Sequence, residues 1–156
     1  MRSSTSVIAR CFVLLLFPML LLISCSSAPL LSSDQQAYLS KAQSFPTDFS
    51  VPKDSDSQVW ERAKLFAATY PSKTVRILSD SMIESEPVTM VDMSAYRFQR
   101  SRSADSIRFD VSSIVTKYAK LGAVGTDRTA SDLDAHLAAY YLATGEIYPE
   151  LLKCAR

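Results

Sequence analysis

The feature that most limits what this chain can fold into lies at its start. Residues 11–23 read Cys-Phe-Val-Leu-Leu-Leu-Phe-Pro-Met-Leu-Leu-Leu-Ile without a charge, after a stretch holding Arg2 and Arg10. Thirteen residues match the hydrophobic region of an export signal and fall short of the ~20 that span a bilayer as a helix. Pro18 weakens a helix there further, because it removes an N–H donor and clashes with the preceding turn. The run also supplies much of the 47% apolar content. Setting Met1–Ser24 aside leaves 132 residues with 15 Lys+Arg, the chain's 17 less Arg2 and Arg10, against 16 Asp+Glu. The formal charge moves from +1 to −1, which excludes a polybasic nucleic-acid binder. No later apolar run reaches ~18 residues, so no second span is expected. The remainder is about one domain's worth of chain.

The apolar run closes on Leu22-Ile23-Ser24-Cys25. This resembles the lipobox of bacterial lipoprotein precursors: a branched apolar residue, a permissive one, a small one, then cysteine. The resemblance implies diacylation of the Cys25 thiol, cleavage between Ser24 and Cys25, and acylation of the new amine. Two or three acyl chains, at about 0.8 kcal/mol per buried CH₂, hold a protein firmly on a membrane. Ser26, rather than Asp, follows the cysteine, which by analogy with enteric bacteria implies the periplasmic face of the outer membrane. An ordinary secretory signal with a coincidental cysteine, or an uncleaved anchor, are the alternatives. With Cys11 discarded and Cys25 lipidated, Cys154 is left alone and no intramolecular disulfide can form.

The mature chain divides into a lipidated N-terminus, tether and short helix over 25–56, and a single globular domain over 57–156. Ser26–Ser33 is small and polar, as a tether should be. A short helix is expected at 34–43 with Tyr38, Leu39 and Ala42 near one face, and 44–56 reads as loop. Val59, Ala63, Phe66, Ala67 and Tyr70 recur at helical spacing after a cap at Asp56 or Ser57, and Pro71 ends that helix. Thr74–Glu84 reads as one strand, and Val88–Met93 as a short edge strand or loop. The best hairpin pairs Ala95–Arg100 with Ser106–Val111 across the polar link Ser101–Asp105. Residues 112–121 are ambiguous between strand and helix, and Gly122–Thr129 is loop. A last helix is expected over Thr129–Ala143, capped by Thr129 or Ser131, with Gly145 at its C′ position and a closing turn at Pro149–Leu152. The expected fold is therefore α+β: a small antiparallel sheet of about three strands covered by two amphipathic helices.

Trp60-Glu61-Arg62-Ala63 and Thr144-Gly145-Glu146, with the strands between them, resemble small uncharacterised bacterial lipoproteins. Those share a helix opening in Trp-x-Arg-Ala and a late helix ending in Thr-Gly-Glu. The resemblance implies no activity.

Short catalytic signatures are missing: there is no Gly-x-Ser-x-Gly, His-Glu-x-x-His, P-loop or Gly-x-Gly-x-x-Gly. One histidine cannot build a His-rich metal site, and no cofactor is expected. His136 has Asp132 at i−4 and Tyr140 at i+4, which could be an orienting carboxylate with a base but is more often a half-buried helix histidine with a local hydrogen bond. Asp80, Glu84, Glu86, Asp92 and Asp110 carry no spacing that brings two together. The clearest constellation is basic: Arg97, Arg100, Arg102 and Arg108, on the polar face and tip of the hairpin, with Arg76 nearby. Guanidinium forks bind phosphate and carboxylate, so an anionic envelope polymer or acidic partner protein would suit them. Asp80, Asp105 and Asp110 are the carboxylates placed to neutralise them. A solvated face would make reversal of Arg100 and Arg102 cost only a few tenths of a kcal/mol. The aromatic residues fall at core spacing, and adjacent Tyr140 and Tyr141 cannot both face inward. The sequence thus suggests a lipid-anchored bacterial envelope protein, a binding or structural module rather than an enzyme; a small envelope-associated hydrolase without a short motif is the alternative.

Overall fold

Ser32 starts the first described helix with a reciprocal cap. Its Oγ accepts from the Gln35 N–H at 3.2 Å while Gln35 Oε1 accepts from the Ser32 N–H at 2.9 Å, satisfying two donors that a helix start leaves free. The structure is a computed structural model that describes residues 31–70, 74–86, 93–118 and 124–154. Cys25 and the whole lipobox, Asp92 and most of the expected 88–93 segment lie outside them, as does the side chain of Cys154. Among the described residues no helix is long and apolar enough to cross a membrane.

The elements run α1 (Ser33–Ser44), β1 (Asp48–Pro52), a 3₁₀ turn (Lys53–Ser55), α2 (Asp56–Thr69), β2 (Val75–Leu78), β3 (Met82–Ser85), β4 (Ser94–Arg102), β5 (Ser106–Tyr118), β6 (Val124–Thr126), α3 (Arg128–Thr144) and α4 (Pro149–Cys154). Six antiparallel strands form the sheet, in the order β1-β5-β4-β3-β2 with β6 also on β5. The expectation of about three strands is overturned, although the fold remains α+β.

Each added strand has a local cause. Thr74–Glu84 is two strands, because Ser79 folds the chain back: its N–H donates to the Met82 carbonyl at 2.9 Å and its Oγ accepts from the Met82 N–H at 3.0 Å. In the expected loop 44–56, Phe49 and Val51 alternate with Asp48 and Ser50, enough to pair with β5 at the sheet edge, where Pro52 is tolerated. The ambiguous stretch continues β5 to Tyr118, and Val124–Thr126 pairs with Thr116–Tyr118 inside the other expected loop. The compact unit accordingly begins at Ser32 and not at residue 57.

α2 and α3 pack on the sheet face that carries Tyr96, Phe98, Phe109 and Val111. Phe66 is the hub, with ring centroids of Tyr70, Tyr96, Phe98 and Tyr141 at 4.8, 5.0, 5.6 and 5.7 Å. Tyr141 is buried and Tyr140 half-buried, as their adjacency requires.

Asp127, rather than Thr129 or Ser131, caps α3, accepting from the Ala130 N–H at 3.2 Å. At the other end Gly145 takes φ 82°, the left-handed conformation that glycine adopts without a Cβ penalty. The Arg62 guanidinium donates to the carbonyls of Leu142 and Ala143 at 2.9 and 3.0 Å, closing two acceptors that the helix end leaves open. A Cβ at Gly145 would stand 3.0 Å from Arg62 Nη2, so a larger residue there would crowd the guanidinium. Trp60-Glu61-Arg62-Ala63 and Thr144-Gly145-Glu146 are therefore two halves of one helix cap. Arg62→Ala should lower stability by about 2–3 kcal/mol through lost charge-assisted bonds at the negative end of the helix dipole. Lys at the same position should recover only part of that, because an ammonium lacks the planar fork. Urea unfolding of both variants measures the difference; equal stability of Arg62→Ala and the parent would refute the capping role.

Candidate functional site

The sheet's period of two divides the four arginines between its faces. Arg97 and Arg108 alternate with Phe98, Ile107 and Phe109 and project to the open face; Arg100 and Arg102 share the parity of Tyr96 and Phe98 and lie toward α2. The hairpin thus does not present one basic surface. Each arginine also faces a carboxylate. Arg97 Nη2 is 2.6 Å from Glu84 Oε1, and Arg76 reaches the other oxygen of Glu84 at 3.7 Å. Arg108 Nε donates to Asp48 Oδ1 at 2.7 Å, and its Nη2 closes a second bond to Oδ2. This pairing holds the Asp48 carboxyl below the usual carboxylate range. Arg102 contacts Asp56 at 3.9 Å. The acids in direct ion pairs are Glu84, Asp48 and Asp56, which only the cross-sheet fold reveals. Of the sequence neighbours, Asp110 adds its charge to that of Asp48 at Arg108, while Asp80 and Asp105 make no ion pair among the described residues.

Arg100 is the most embedded of the four. Its side chain is 9% exposed, bonded to Asp56 Oδ1 at 2.9 Å and to the Asp80 carbonyl, with its guanidinium carbon 4.3 Å from the centre of the Trp60 ring. Reversing it therefore should not be neutral: Arg100→Glu places two carboxylates together and should cost about 3 kcal/mol. Arg102→Glu, at a side chain 68% exposed, should change stability by less than about 1 kcal/mol. Separate denaturation of the two variants tests the division; equal losses would contradict it.

His136 is half-buried on α3, with Nδ1 2.6 Å from the Phe45 carbonyl oxygen. Neither Asp132 nor Tyr140 hydrogen-bonds it among the described residues. It lines a cleft of about 300 Å³ with Thr47, Ser112, Ser113, Ser131 and Asp132. On the open sheet face a depression of about 270 Å³ is lined by Glu84, Ala95, Arg97, Ser112 and Ile114, the last 52% exposed. At the α1 end, burial and the neighbouring Tyr140 and Glu146 push the Tyr38 phenol well above its ordinary value, and its hydroxyl donates to the Glu146 carbonyl at 3.0 Å. No group of three or more His, Cys, Asp or Glu able to hold a metal occurs among the described residues.

Sequence reasoning missed the most enclosed ionisable side chain among the described residues. Asp134 is 0% exposed; its Oδ2 accepts from the Tyr96 hydroxyl at 2.7 Å and from the Ser94 hydroxyl at 3.2 Å. The available signal was positional: Asp134 lies one helical turn from Ala130 and Ala138, on the buried stripe of α3. The chain matches no protein-family profile, no curated protein and no solved structure.

Proposed function

We propose that this chain is a lipid-anchored protein of the bacterial cell envelope, facing the periplasm from the outer membrane, whose folded unit is a non-catalytic binding or structural module. The observation that carries this reading is Leu22-Ile23-Ser24-Cys25 after a charge-free run of signal length, with only six residues between Cys25 and the capping Ser32. A thioether-linked diacylglycerol there would keep the module on the membrane without a spanning helix. Binding rather than turnover is supported by the lone histidine, whose Nδ1 is engaged by the Phe45 backbone carbonyl. The arginines support a cross-linked framework, since each is within ion-pair reach of Glu84, Asp48 or Asp56, with Arg100 and Arg102 sharing Asp56.

Cys25→Ala separates this reading from an ordinary secretory signal. Without the thiol no lipid can be attached, and processing that requires the lipid should stop. The expected result is an uncut precursor 24 residues longer than the parent's mature form, lacking incorporated fatty acid. Normal cleavage at the same bond with the protein still on the membrane would defeat the proposal.

A further inference from the structure

The edge of β5 away from β4 is almost fully occupied. β1 pairs with it from Ser106 to Asp110 and β6 from Thr116 to Tyr118. Strand alternation turns the backbone groups of Val111, Ser113 and Val115 toward this edge. The Val111 N–H donates to the Thr47 carbonyl at 2.9 Å. The Val115 N–H donates to Ser131 Oγ at 2.9 Å, and its carbonyl accepts from the Asp127 N–H at 2.7 Å. Between them the N–H and C=O of Ser113 have no partner among the described residues. Continuing the β1 register would bring Phe45 opposite Ser113, but α1 ends at that point and the Phe45 carbonyl is taken by His136.

This one-residue gap in the ladder opens into the His136 cleft. A carbonyl oxygen only accepts, so His136 Nδ1 carries the hydrogen and Nε2 of the neutral ring is an acceptor. Asp132 adds a carboxylate, and no lysine or arginine lines the cleft among the described residues. A strand edge asks for a residue that offers both N–H and C=O; the imidazole and carboxylate ask for a donor of positive charge.

We propose that the gap is a binding site for a short peptide with a free amine: one ligand residue pairs with the Ser113 backbone while the amine is held by Asp132 and His136 Nε2. The flanking β1 and α3 N-terminal region limit strand addition to that single residue, which distinguishes the site from an open sheet edge. The inference rests on the binding-module reading and gives it a ligand class.

The test is nitrogen-15 NMR on the full chain in detergent micelles, titrated with trialanine. The chain holds one histidine, so both ring-nitrogen signals belong to His136. Trialanine should shift the Ser113 amide and His136 Nε2 together and saturably. N-acetyl-trialanine, and trialanine with the Asp132→Asn variant, should bind at least about tenfold more weakly. No saturable shift at either position at millimolar peptide would overturn the proposal, as would equal binding of the acetylated peptide. A glucose oligomer that shifts Nε2 when trialanine does not would overturn the peptide class in favour of a polyol. Mass measurement of Cys25 on the same sample reads anchoring separately: an acylated chain that ignores trialanine fails this inference alone, and an unacylated chain that binds trialanine fails only the anchoring reading.

Discussion

Replacing Asp134 with alanine should destabilise the fold by about 3–5 kcal/mol, a large share of the 5–15 kcal/mol that typically separates folded from unfolded chains. The carboxylate is fully enclosed between α3 and β4, and it is the acceptor for the hydroxyls of Tyr96 and Ser94. Alanine removes that acceptor and leaves two hydroxyl donors in a site shut off from water, each costing about 1–3 kcal/mol when unsatisfied. Asn at the same position keeps an oxygen acceptor and should lose less. Guanidinium unfolding of both variants gives the comparison. A loss below about 1 kcal/mol for Asp134→Ala would show that the hydroxyls find other partners and that the network does not hold α3 to the sheet.

Phe66→Ala should be comparably damaging, at about 3–5 kcal/mol. Its ring is 0% exposed and lies within 6 Å, centre to centre, of four others: Tyr70 just past the end of α2, Tyr96 and Phe98 on β4, and Tyr141 on α3. Removal deletes the apolar contact area and leaves a cavity whose walls are rings anchored to three separate elements, so collapse around it is limited. Phe66→Leu retains most of the volume and should cost less than half as much. If alanine and leucine proved equally mild in the same unfolding assay, the aromatic hub would not be the centre of the core.

The contrast between these two residues explains what could be read from the sequence. Phe66 was legible because α2 repeats its apolar residues every 3.6 positions; the same period located α3, the period of two located the β4–β5 hairpin, and the end of the α3 pattern located Gly145. β1 and β6 were not, because five-residue and three-residue strands bounded by serine, proline and glycine look like the loops they interrupt. β2 and β3 merged for a related reason: Ser79-Asp80-Ser81 holds no glycine or proline to announce a hairpin. Pairing partners are harder again. Arg108 finds Asp48, sixty residues away, and Arg100 finds Asp56, forty-four away; nearby aspartates looked better placed only because sequence distance was the sole distance available. Parity, by contrast, was available: Arg100 shares the even positions of Tyr96 and Phe98, which alone places it on the helix side of the sheet. The gap at Ser113 has no sequence signature at all, since it depends on where a helix from another part of the chain stops.

The most direct test of the anchoring account is mass spectrometry of the mature N-terminus after trypsin digestion. The first cleavable residue beyond Cys25 is Lys41, so the account predicts a peptide running from Cys25 to Lys41 whose N-terminal cysteine carries a diacylglycerol on its sulfur. A peptide that begins upstream of Cys25, or one that begins elsewhere with an unmodified thiol at Cys25, would contradict it.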